Sequence, residues 1–500
     1  MSAQEPQRRR RRIAIGLGLL LVLLGSAGAV FALTREGEVS NPDVEFSDEP
    51  AATPAPEEEP AQPDRRGRRA DPSDRFIWAH YGYTRDRRRF LPAPRVLRPP
   101  FWEPWQYQGA VLLEFPPVIG GRWLYLLNNA AILRSIDKRT GKVRWRRRLG
   151  HLAAASPAYA PGSVYVVILE RARRGRGSRA GRVVAINAKT GRIRWSRDLA
   201  SRTESSPLIV GDTLYFGSEK GTVYAMNARN GNVRWSFRAS GAVKGGLALS
   251  GGRLYFGDYG GHVYAVWAGS GEESWRASTR GGKLGLGAGN FYSTPAVAFG
   301  RVYIGNTDGR VYSFAARSGK LAWRRSTGGY VYASPAVAEL AGSPPMVYAG
   351  SYSGRFYAFD ARSGRVRWMR GGNGRISGGA TVIGDIVYYA DLGRKKTIGL
   401  GARTGRKVFE FERGSYNPVV SDGRTIYLTG YHALYALRPL SQKAKDERAA
   451  REAKAAKRRI AKRKAKRKAC VRRARKHHDK RGAIARSYRR CVIRNHAQKR

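Results

Sequence analysis

Hydrophobic and polar positions alternate in short runs between residues 101 and 440. A representative stretch at 205–235, "SSPLIVGDTLYFGSEKGTVYAMNARNGNVRW", contains four apolar runs separated by "GD", "EKG" and "RNG". Alternation with a period of two predicts strands, and Gly-Asp or Asn-Gly pairs predict tight turns between them. The stretch therefore predicts four antiparallel strands joined as a meander.

A Trp follows the last turn glycine of this unit by four residues, and the same pairing recurs along the chain. The recurring aromatic positions lie 40, 50, 40, 40, 48, 45 and 41 residues apart, at Trp105, Trp145, Trp195, Trp235, Trp275, Trp323, Trp368 and Phe409. A repeat of this length is typical of propellers and solenoids. The sequence of 101–440 lacks helical periodicity, which argues against a helical solenoid.

The two ends of the repeated region complement each other. The last unit stops near Leu437 after three strands, whereas Trp105 in "WEPWQYQGA" has no turn before it. The first segment can therefore supply the missing fourth strand and close the ring, which hides two sheet edges. We predict an all-β, eight-bladed β-propeller of four-stranded antiparallel blades over 101–440.

The recurring aromatic residues are predicted to be structural. A Trp at the same place in each blade buries a large area, and its indole N–H needs only one backbone acceptor. The Asp or Asn that stands before most of the turns is predicted to bond the local backbone. We interpret the seven Trp residues and Phe409 as wedges between neighbouring blades.

The units "SIDKRTGKVRW", "AINAKTGRIRW", "AMNARNGNVRW" and "AFDARSGRVRW" resemble the quinoprotein-type, PQQ-like propeller repeat. Trp267, Ala315 and Gly401 depart from it, because each stands where the repeat has Asp or Asn. The resemblance implies either a quinone-dependent dehydrogenase or a non-catalytic propeller of the envelope or of a sensor. Dehydrogenases of the family add an adjacent Cys pair, a carboxylate base and calcium.

The cysteine pattern favours the non-catalytic envelope branch, since Cys470 is the first Cys of the chain. We predict a binding or scaffolding module with an envelope protein as its partner, and no catalytic residue, metal or cofactor. A quinone (PQQ)-dependent dehydrogenase is the alternative. The seven His residues are scattered, and their spacing does not indicate a metal site.

Residues 13–33 are 21 uncharged residues that follow "RRRRR" at 8–12, and ten acidic residues lie within 35–64. An apolar run of this length is long enough to span a membrane, and the charge asymmetry places 1–12 in the cytoplasm. We predict a single-pass anchor at 13–33 with the propeller and the tail outside. A cleaved signal peptide is the alternative, since "AGA" at 27–29 resembles a cleavage site, and the protein would then be secreted.

Two segments connect the predicted anchor to the propeller. Residues 34–74 are rich in Pro and acidic residues and poor in aromatics, which predicts a disordered linker. Residues 75–100 are rich in Arg and aromatic side chains, and we expect this lead-in segment to pack over the surface of the propeller.

The chain has a formal net charge of +56, and residues 441–500 contribute 26 basic and 4 acidic side chains. This Ala-, Lys- and Arg-rich tail favours a helix. Cys470 and Cys491 flank Gly482, so a helical hairpin could bring them together as a disulfide outside the cytoplasm. We predict contact with an anionic wall polymer or lipid head groups, without sequence-specific nucleic-acid binding.

A second basic feature is the insertion "RARRGRGSRAGR" at 171–182. Arginine pairs with phosphate or carboxylate in a bidentate fork, so the insertion is a candidate anion-binding loop. A solvated flexible loop is the alternative. The candidate residues are Arg171, Arg173, Arg174, Arg176, Arg179 and Arg182.

Overall fold

The computed structural model describes residues 37–48, 72–94, 96–170, 180–279, 289–372, 374–414, 416 and 419–476. Eight sheets, each containing four antiparallel strands of the repeat, form an eight-bladed propeller, which confirms the predicted fold. The innermost strands contact one another between neighbouring blades and surround the central channel. Numbered from blade one to blade eight, they are β5 (Val118–Gly120), β9 (Ala158–Ala160), β13 (Leu208–Val210), β17 (Ala248–Ser250), β21 (Ala296–Ala298), β25 (Ala336–Ala338), β29 (Thr381–Ile383) and β33 (Val419–Ser421).

The next two layers of strands follow in chain order away from the axis. The second strands are β6 (Trp123–Leu127), β10 (Ser163–Ile168), β14 (Thr213–Phe216), β18 (Arg253–Gly257), β22 (Arg301–Gly305), β26 (Met346–Gly350), β30 (Ile386–Asp391) and β34 (Ile426–Thr429). The third strands are β7 (Ile132–Asp137), β11 (Arg182–Asn187), β15 (Thr222–Asn227), β19 (His262–Trp267), β23 (Arg310–Ala315), β27 (Arg355–Asp360), β31 (Lys396–Gly401) and β35 (Ala433–Pro439).

The outermost strands close the ring. They are β8 (Val143–Arg148), β12 (Ile193–Asp198), β16 (Val233–Arg238), β20 (Glu273–Ser278), β24 (Leu321–Ser326), β28 (Val366–Gly371), β32 (Lys407–Phe411) and, in blade eight, β4 (Phe101–Gln108). Strand β4 comes from the beginning of the domain and pairs with β35 near its end. The closure predicted from Trp105 is therefore confirmed.

Each wedge Trp lies on an outermost strand and reaches the turn of the next blade. The Trp323 side chain is fully buried, its indole N–H donates to the Ala361 carbonyl at 2.9 Å, and its ring covers Gly364. The same bond joins Trp105 to Lys138, Trp145 to Ala188, Trp195 to Ala228, Trp235 to Ala268, Trp275 to Ala316 and Trp368 to Ala402. Two constraints call for glycine in this turn. The φ angle of Gly364 is +70°, and a Cβ on Gly364 would lie 2.6 Å from the indole of Trp323.

Phe409 occupies the one wedge position where no such turn follows. Blade eight has no hairpin between β35 and β4, since these strands come from the two ends of the domain. An indole N–H at this position would therefore lack the turn carbonyl that accepts it elsewhere. Phe409 instead packs edge-on against Phe101, with ring centroids 5.3 Å apart.

Residues 77–91 fill the central channel, so the prediction that this lead-in segment packs over the surface is wrong here. Strand β2 (Ile77–Trp78) pairs with β5, and β3 (Phe90–Leu91) pairs with β29. Between them, backbone carbonyls accept N–H groups of the innermost strands, in the pairs Ala79–Tyr159, Arg85–Leu249, Asp86–Val297, Arg88–Val337 and Arg89–Val382. The segment satisfies edge N–H groups that would otherwise face an empty channel.

Two buried arginines of this channel segment, Arg87 and Arg88, have polar partners inside the protein. The Arg87 guanidinium is fully buried and donates to the carbonyls of Tyr81, Leu247 and Ser206. Arg88 forms an ion pair with Asp86 at 2.9 Å. The Arg-rich composition that indicated an exposed segment therefore serves contacts inside the channel.

Part of the predicted disordered linker 34–74 is ordered, which corrects that prediction for 37–48. Strand β1 (Val39–Ser40) pairs with β24 on the outer edge of blade five. Phe46 stacks on Phe299 with ring centroids 5.8 Å apart, and Val44 packs beside it on the same hydrophobic cluster. These apolar side chains give the segment buried surface that its overall composition does not suggest.

The C-terminal unit, 439–500, is separate from the unit of 1–438. It contains helix α1 (Lys443–Lys476), 34 residues long, which confirms the predicted helical tail. Cys491 and the side chain of Cys470 lie outside the described residues, so their disulfide and the hairpin stay predictions. In the part of the chain that the structure describes, no helix is long and apolar enough to cross a membrane; the predicted anchor at 13–33 lies outside that part.

We expect Gly364→Ala to be more destabilising than Gly211→Ala. Both glycines have positive φ, but a Cβ on Gly211 meets nothing within 4 Å, whereas one on Gly364 displaces Trp323. The Gly211 variant should lose about 1 kcal/mol from backbone strain, and the Gly364 variant about 2 kcal/mol more. Urea unfolding of both variants measures the difference, and equal losses would show that the wedge contact is not tight.

We expect the stability of the propeller to depend on the protonation of His80. Burial, and then the charge of Arg87, lower the pKa of His80 from 6.5 to about 3. Between these values the unfolded chain binds the proton and the folded chain does not. The free energy of unfolding should therefore fall as pH decreases from 6.5 towards 3, by up to about 1.4 kcal/mol per pH unit.

Urea unfolding at several pH values, on the wild type and on His80→Gln, measures this contribution. The variant should show a shallower loss of stability over the same window, because glutamine does not titrate. Parallel curves for the two proteins would contradict a buried neutral His80.

Candidate binding site at the axial mouth

One end of the channel opens into a cavity of about 240 Å³, which we call the axial mouth. Its wall comes from loops that lead into the innermost strands and from loops that join second to third strands. Six tyrosines, two glutamates and one lysine line it among small residues: Tyr81, Tyr259, Tyr292, Tyr332, Tyr352, Tyr416, Glu114, Glu204 and Lys244. The mouth is therefore aromatic and carries opposite charges close together.

The repeat places most of these side chains in equivalent positions. Six lining residues stand four positions before an innermost strand, namely Glu114, Glu204, Lys244, Tyr292, Tyr332 and Ser377. Tyr259 and Tyr352 stand two positions after a second strand, and their N–H groups donate to the carbonyls of Ala242 and Tyr330 at 2.9 Å. These backbone bonds tie the two kinds of loop together and hold the side chains around one opening.

The charged side chains form a network on the loops of blades two to four. The Lys244 ammonium lies 2.7 Å from a Glu204 carboxylate oxygen and 3.2 Å from one of Glu219. Arg202 lies 3.5 Å from Glu219 and 3.6 Å from Glu170. The network orients the Glu204 carboxylate, which also accepts the Tyr292 hydroxyl at 3.3 Å.

Burial controls protonation in the mouth. It raises the pKa of Glu114, and the negative charge of Glu204 acts in the same direction. It also raises the pKa of Tyr292 and raises that of Tyr259 to about 12. For Lys244, burial lowers the pKa, but the hydrogen bond to Glu204 together with the charges of Glu204, Tyr259 and Glu219 outweighs this, and the net shift is upward. At neutral pH the Tyr259 and Tyr292 side chains are therefore hydroxyl donors, and Lys244 is a cation.

An aromatic wall completes the mouth. The Tyr332 ring lies 4.9 Å from that of Tyr352 and 5.7 Å from that of Tyr292, measured between centroids. Tyr330 stands at the rim, 55% exposed, with its centroid 6.1 Å from that of Tyr332. Rings that pack against one another keep fixed orientations, so the wall is preorganised for contact.

The channel segment forms the floor. Tyr81 lines the cavity, and the Arg89 guanidinium carbon lies 3.9 Å from the centroid of its ring. Since residues 77–91 occupy the channel below, the mouth is a closed cup that opens at one end of the propeller.

The residues singled out from the sequence lie elsewhere. The wedge Trp residues pack between blades, away from the cavity lining. Arg182 donates to Asp198 of its own blade at 2.8 Å, whereas 171–179, with the other five arginines, lie outside the described residues. Among the described residues, no three His, Cys, Asp or Glu side chains form a metal-binding group.

Sequence reasoning missed the mouth residues, although a signal was present. "ESSP" at 204–207, "YSTP" at 292–295 and "YASP" at 332–335 share small residues and Pro, but the first position is Glu in one motif and Tyr in the other two. Variation at one position of an otherwise regular repeat marks a side chain that the scaffold does not require. The first position of each of these motifs faces the mouth.

Solved structures share this architecture at low sequence identity. BamB from Moraxella catarrhalis is 16% identical with a TM-score of 0.52, covering 68% of this chain and 99% of its own. The quinohemoprotein alcohol dehydrogenase ADHIIG from Pseudomonas putida HK5 is 15% identical with a TM-score of 0.61, covering 73% and 81%. The computationally designed protein Ika8 is 14% identical with a TM-score of 0.53, covering 68% and 99%. These likenesses show the fold alone.

Comparison of the sequence with family models identifies the family of the chain. No curated protein matches the chain. The family model described as "Outer membrane protein assembly factor BamB" matches residues 100–236 and 235–445, which together are more than half of the chain. The wedge contacts, the closure of blade eight and this match agree, and the chain belongs to the PQQ-like β-propeller family that this model describes.

Proposed function

We propose that the protein is a non-catalytic binding module of the cell envelope that holds a protein partner at the axial mouth. The observation that carries the proposal is the mouth itself, a closed cup lined by six tyrosines with charged groups between them. The family description, an assembly factor, supports a role in bringing proteins together.

The chemistry of tyrosine supports protein binding. A tyrosine offers a large contact area and one hydrogen-bonding group, and it loses little side-chain entropy on binding because it has few rotatable bonds. Tyr332 and Tyr352 are already fixed by ring packing. A preorganised aromatic surface reduces the entropy lost when a partner binds.

The proposal includes export of the propeller. Five arginines at 8–12 precede the apolar run at 13–33, and this arrangement supports a cytoplasmic N-terminus with the propeller and the tail outside. Residues 13–33 would anchor the protein, or would be removed if they are a signal peptide.

Helix α1 supports a second contact. It carries 18 basic and 3 acidic side chains over its 34 residues, and Ile460, a large apolar residue, is 43% exposed. A helix of this composition attracts phosphate groups, whether on a wall polymer or on lipid heads. We propose that the tail holds the module near such a surface.

A quinone-dependent dehydrogenase is the second candidate, favoured by the shared fold with ADHIIG. The described cavity lining does not fit the quinone well. The quinone bears carboxylates, whereas the lining brings Glu114 and Glu204 to the cavity, and its one lysine is already bonded to Glu204. Like charges at close range oppose binding.

We expect a photo-crosslinker at the rim to capture a protein partner. Tyr330→p-benzoylphenylalanine places the probe beside the aromatic wall, and irradiation of cells that carry the full chain should give an adduct of discrete mass. The matched control is Trp267→p-benzoylphenylalanine, because Trp267 is also exposed but stands at the far end of β19. Adding Tyr332→Ala and Tyr352→Ala should reduce the adduct by about tenfold, as expected for loss of central aromatic anchors.

Three outcomes would contradict the proposal. Equal adducts from positions 330 and 267 would show that the mouth has no special affinity, and no adduct from either would leave it without a partner. Stoichiometric uptake of the quinone with calcium, together with dye-linked alcohol oxidation, would establish the dehydrogenase instead.

We expect deletion of residues 441–500 to weaken binding to poly(glycerol phosphate). The tail contributes a net charge of +22, whereas residues 101–440 contribute +31 spread over a much larger surface. In nonionic detergent, the full chain should bind the polymer about tenfold more tightly than the deletion variant, with the difference shrinking as salt is added. Equal affinities and equal salt dependence would show that the tail does not make this contact.

A further inference from the structure

We propose that the group accepted by the axial mouth is a cationic side chain, a guanidinium or ammonium, on a segment of the partner. This inference rests on the proposed function and adds the chemistry of the partner. It draws on two independent features of the mouth, its charge and its aromatic wall.

One sector of the mouth differs in charge from the rest of the protein. On the loops of blades one to four, four carboxylates, Glu114, Glu170, Glu204 and Glu219, stand against two cations, Arg202 and Lys244, which makes this sector acidic. Two further cations, Arg89 and Arg375, lie against the rings of Tyr81 and Tyr352, so the acidic sector is confined to these loops. The whole chain carries +56. Local negative charge with low-dielectric walls attracts a cation at short range, even in a basic protein.

The aromatic wall offers the second feature. Cations bind over the faces of tyrosine rings, and the energy rises when water is excluded. The protein already contains three such contacts at the mouth: Arg89 lies 3.9 Å from the Tyr81 centroid, Lys244 lies 5.2 Å from that of Tyr259, and Arg375 lies 5.6 Å from that of Tyr352. The wall therefore accepts both an ammonium and a guanidinium at its edges.

The two features act on one ligand. Tyr292 connects them, because its hydroxyl donates to Glu204 and its ring packs against Tyr332. A guanidinium placed between the Glu204 carboxylate and the wall would find a charged acceptor and ring faces together. Burial disfavours the charged form of Glu114, and an incoming cation would relieve that effect.

The positive net charge of the protein separates specific from non-specific binding of a cation. Non-specific attraction favours anions and repels cations, so saturable binding of a cationic peptide has to come from a local site. Citrulline has nearly the shape of arginine but no charge. It therefore separates the effect of charge from that of size and hydrogen bonding.

The test titrates the full chain with acetyl-Gly-Ser-Arg-Ser-Gly-amide and with the same peptide carrying citrulline, observed by saturation-transfer NMR. We expect the arginine peptide to bind saturably and the citrulline peptide at least about tenfold more weakly. Glu114→Gln/Glu204→Gln should weaken binding of the arginine peptide by a similar factor. The matched control, Glu272→Gln/Glu273→Gln, removes two exposed carboxylates beside β20 and should leave binding unchanged.

The outcomes separate this inference from the proposed function. Equal binding of the two peptides, no saturable binding, or equal losses in both Gln variants would overturn the cationic ligand. If crosslinking from position 330 persists in any of these cases, the mouth still binds a protein and only its chemistry is wrong. Thermal unfolding of each variant checks that the fold is retained, and the citrulline comparison on the wild type needs no variant.

Discussion

The contact between an indole and the glycine turn of the next blade is the interaction on which the propeller depends. It fixes the spacing of neighbouring blades, because the ring rests on the backbone and leaves no room for a Cβ at Gly364. It also fixes their orientation, because the indole N–H must meet a carbonyl of the same turn, as between Trp323 and Ala361. Phe409 supports this dependence, because Phe replaces Trp at the one wedge position where the next blade has no such turn.

A ring built in this way leaves the innermost strands with unpaired edges around the axis. The channel segment covers those edges, and its path explains its composition. Its backbone forms hydrogen bonds with the innermost strands of successive blades, and these bonds determine where its side chains lie. Arg87 finds carbonyls of Leu247 and Ser206 there, and Tyr81 is left facing the opening as the floor of the mouth. The shape of the candidate site thus follows from the need to satisfy strand edges.

The sequence predicted those features that depend on local periodicity. The strands, the turns and the number of blades have counterparts in a repeated pattern, because each is set by residues within one unit. The closing strand joins the two ends of the domain, but the repeat revealed it because Trp105 stands one period before Trp145. The channel segment has no such counterpart. Two acceptors of Arg87, the carbonyls of Leu247 and Ser206, lie more than one hundred positions away, and a run such as "RDRRR" at 85–89 indicates an exposed surface when read alone. The mouth was missed for a related reason, because Glu114, Lys244 and Tyr332 meet only after the ring has closed.

The wedge positions are fixed by the fold, whereas the loop positions before the innermost strands vary, and this difference allows one architecture to carry different functions. A residue four positions before an innermost strand can be Glu, Lys, Tyr or Ser without disturbing the wedge, because the wedge contact lies on the outermost strands. Its backbone stays in place while its side chain changes the charge and shape of the mouth. The fold therefore does not determine what binds there. In this chain the variable positions include Glu114 and Glu204 in one sector and Tyr292 and Tyr332 in the next, and these side chains, rather than the propeller, set the charge and shape of the mouth.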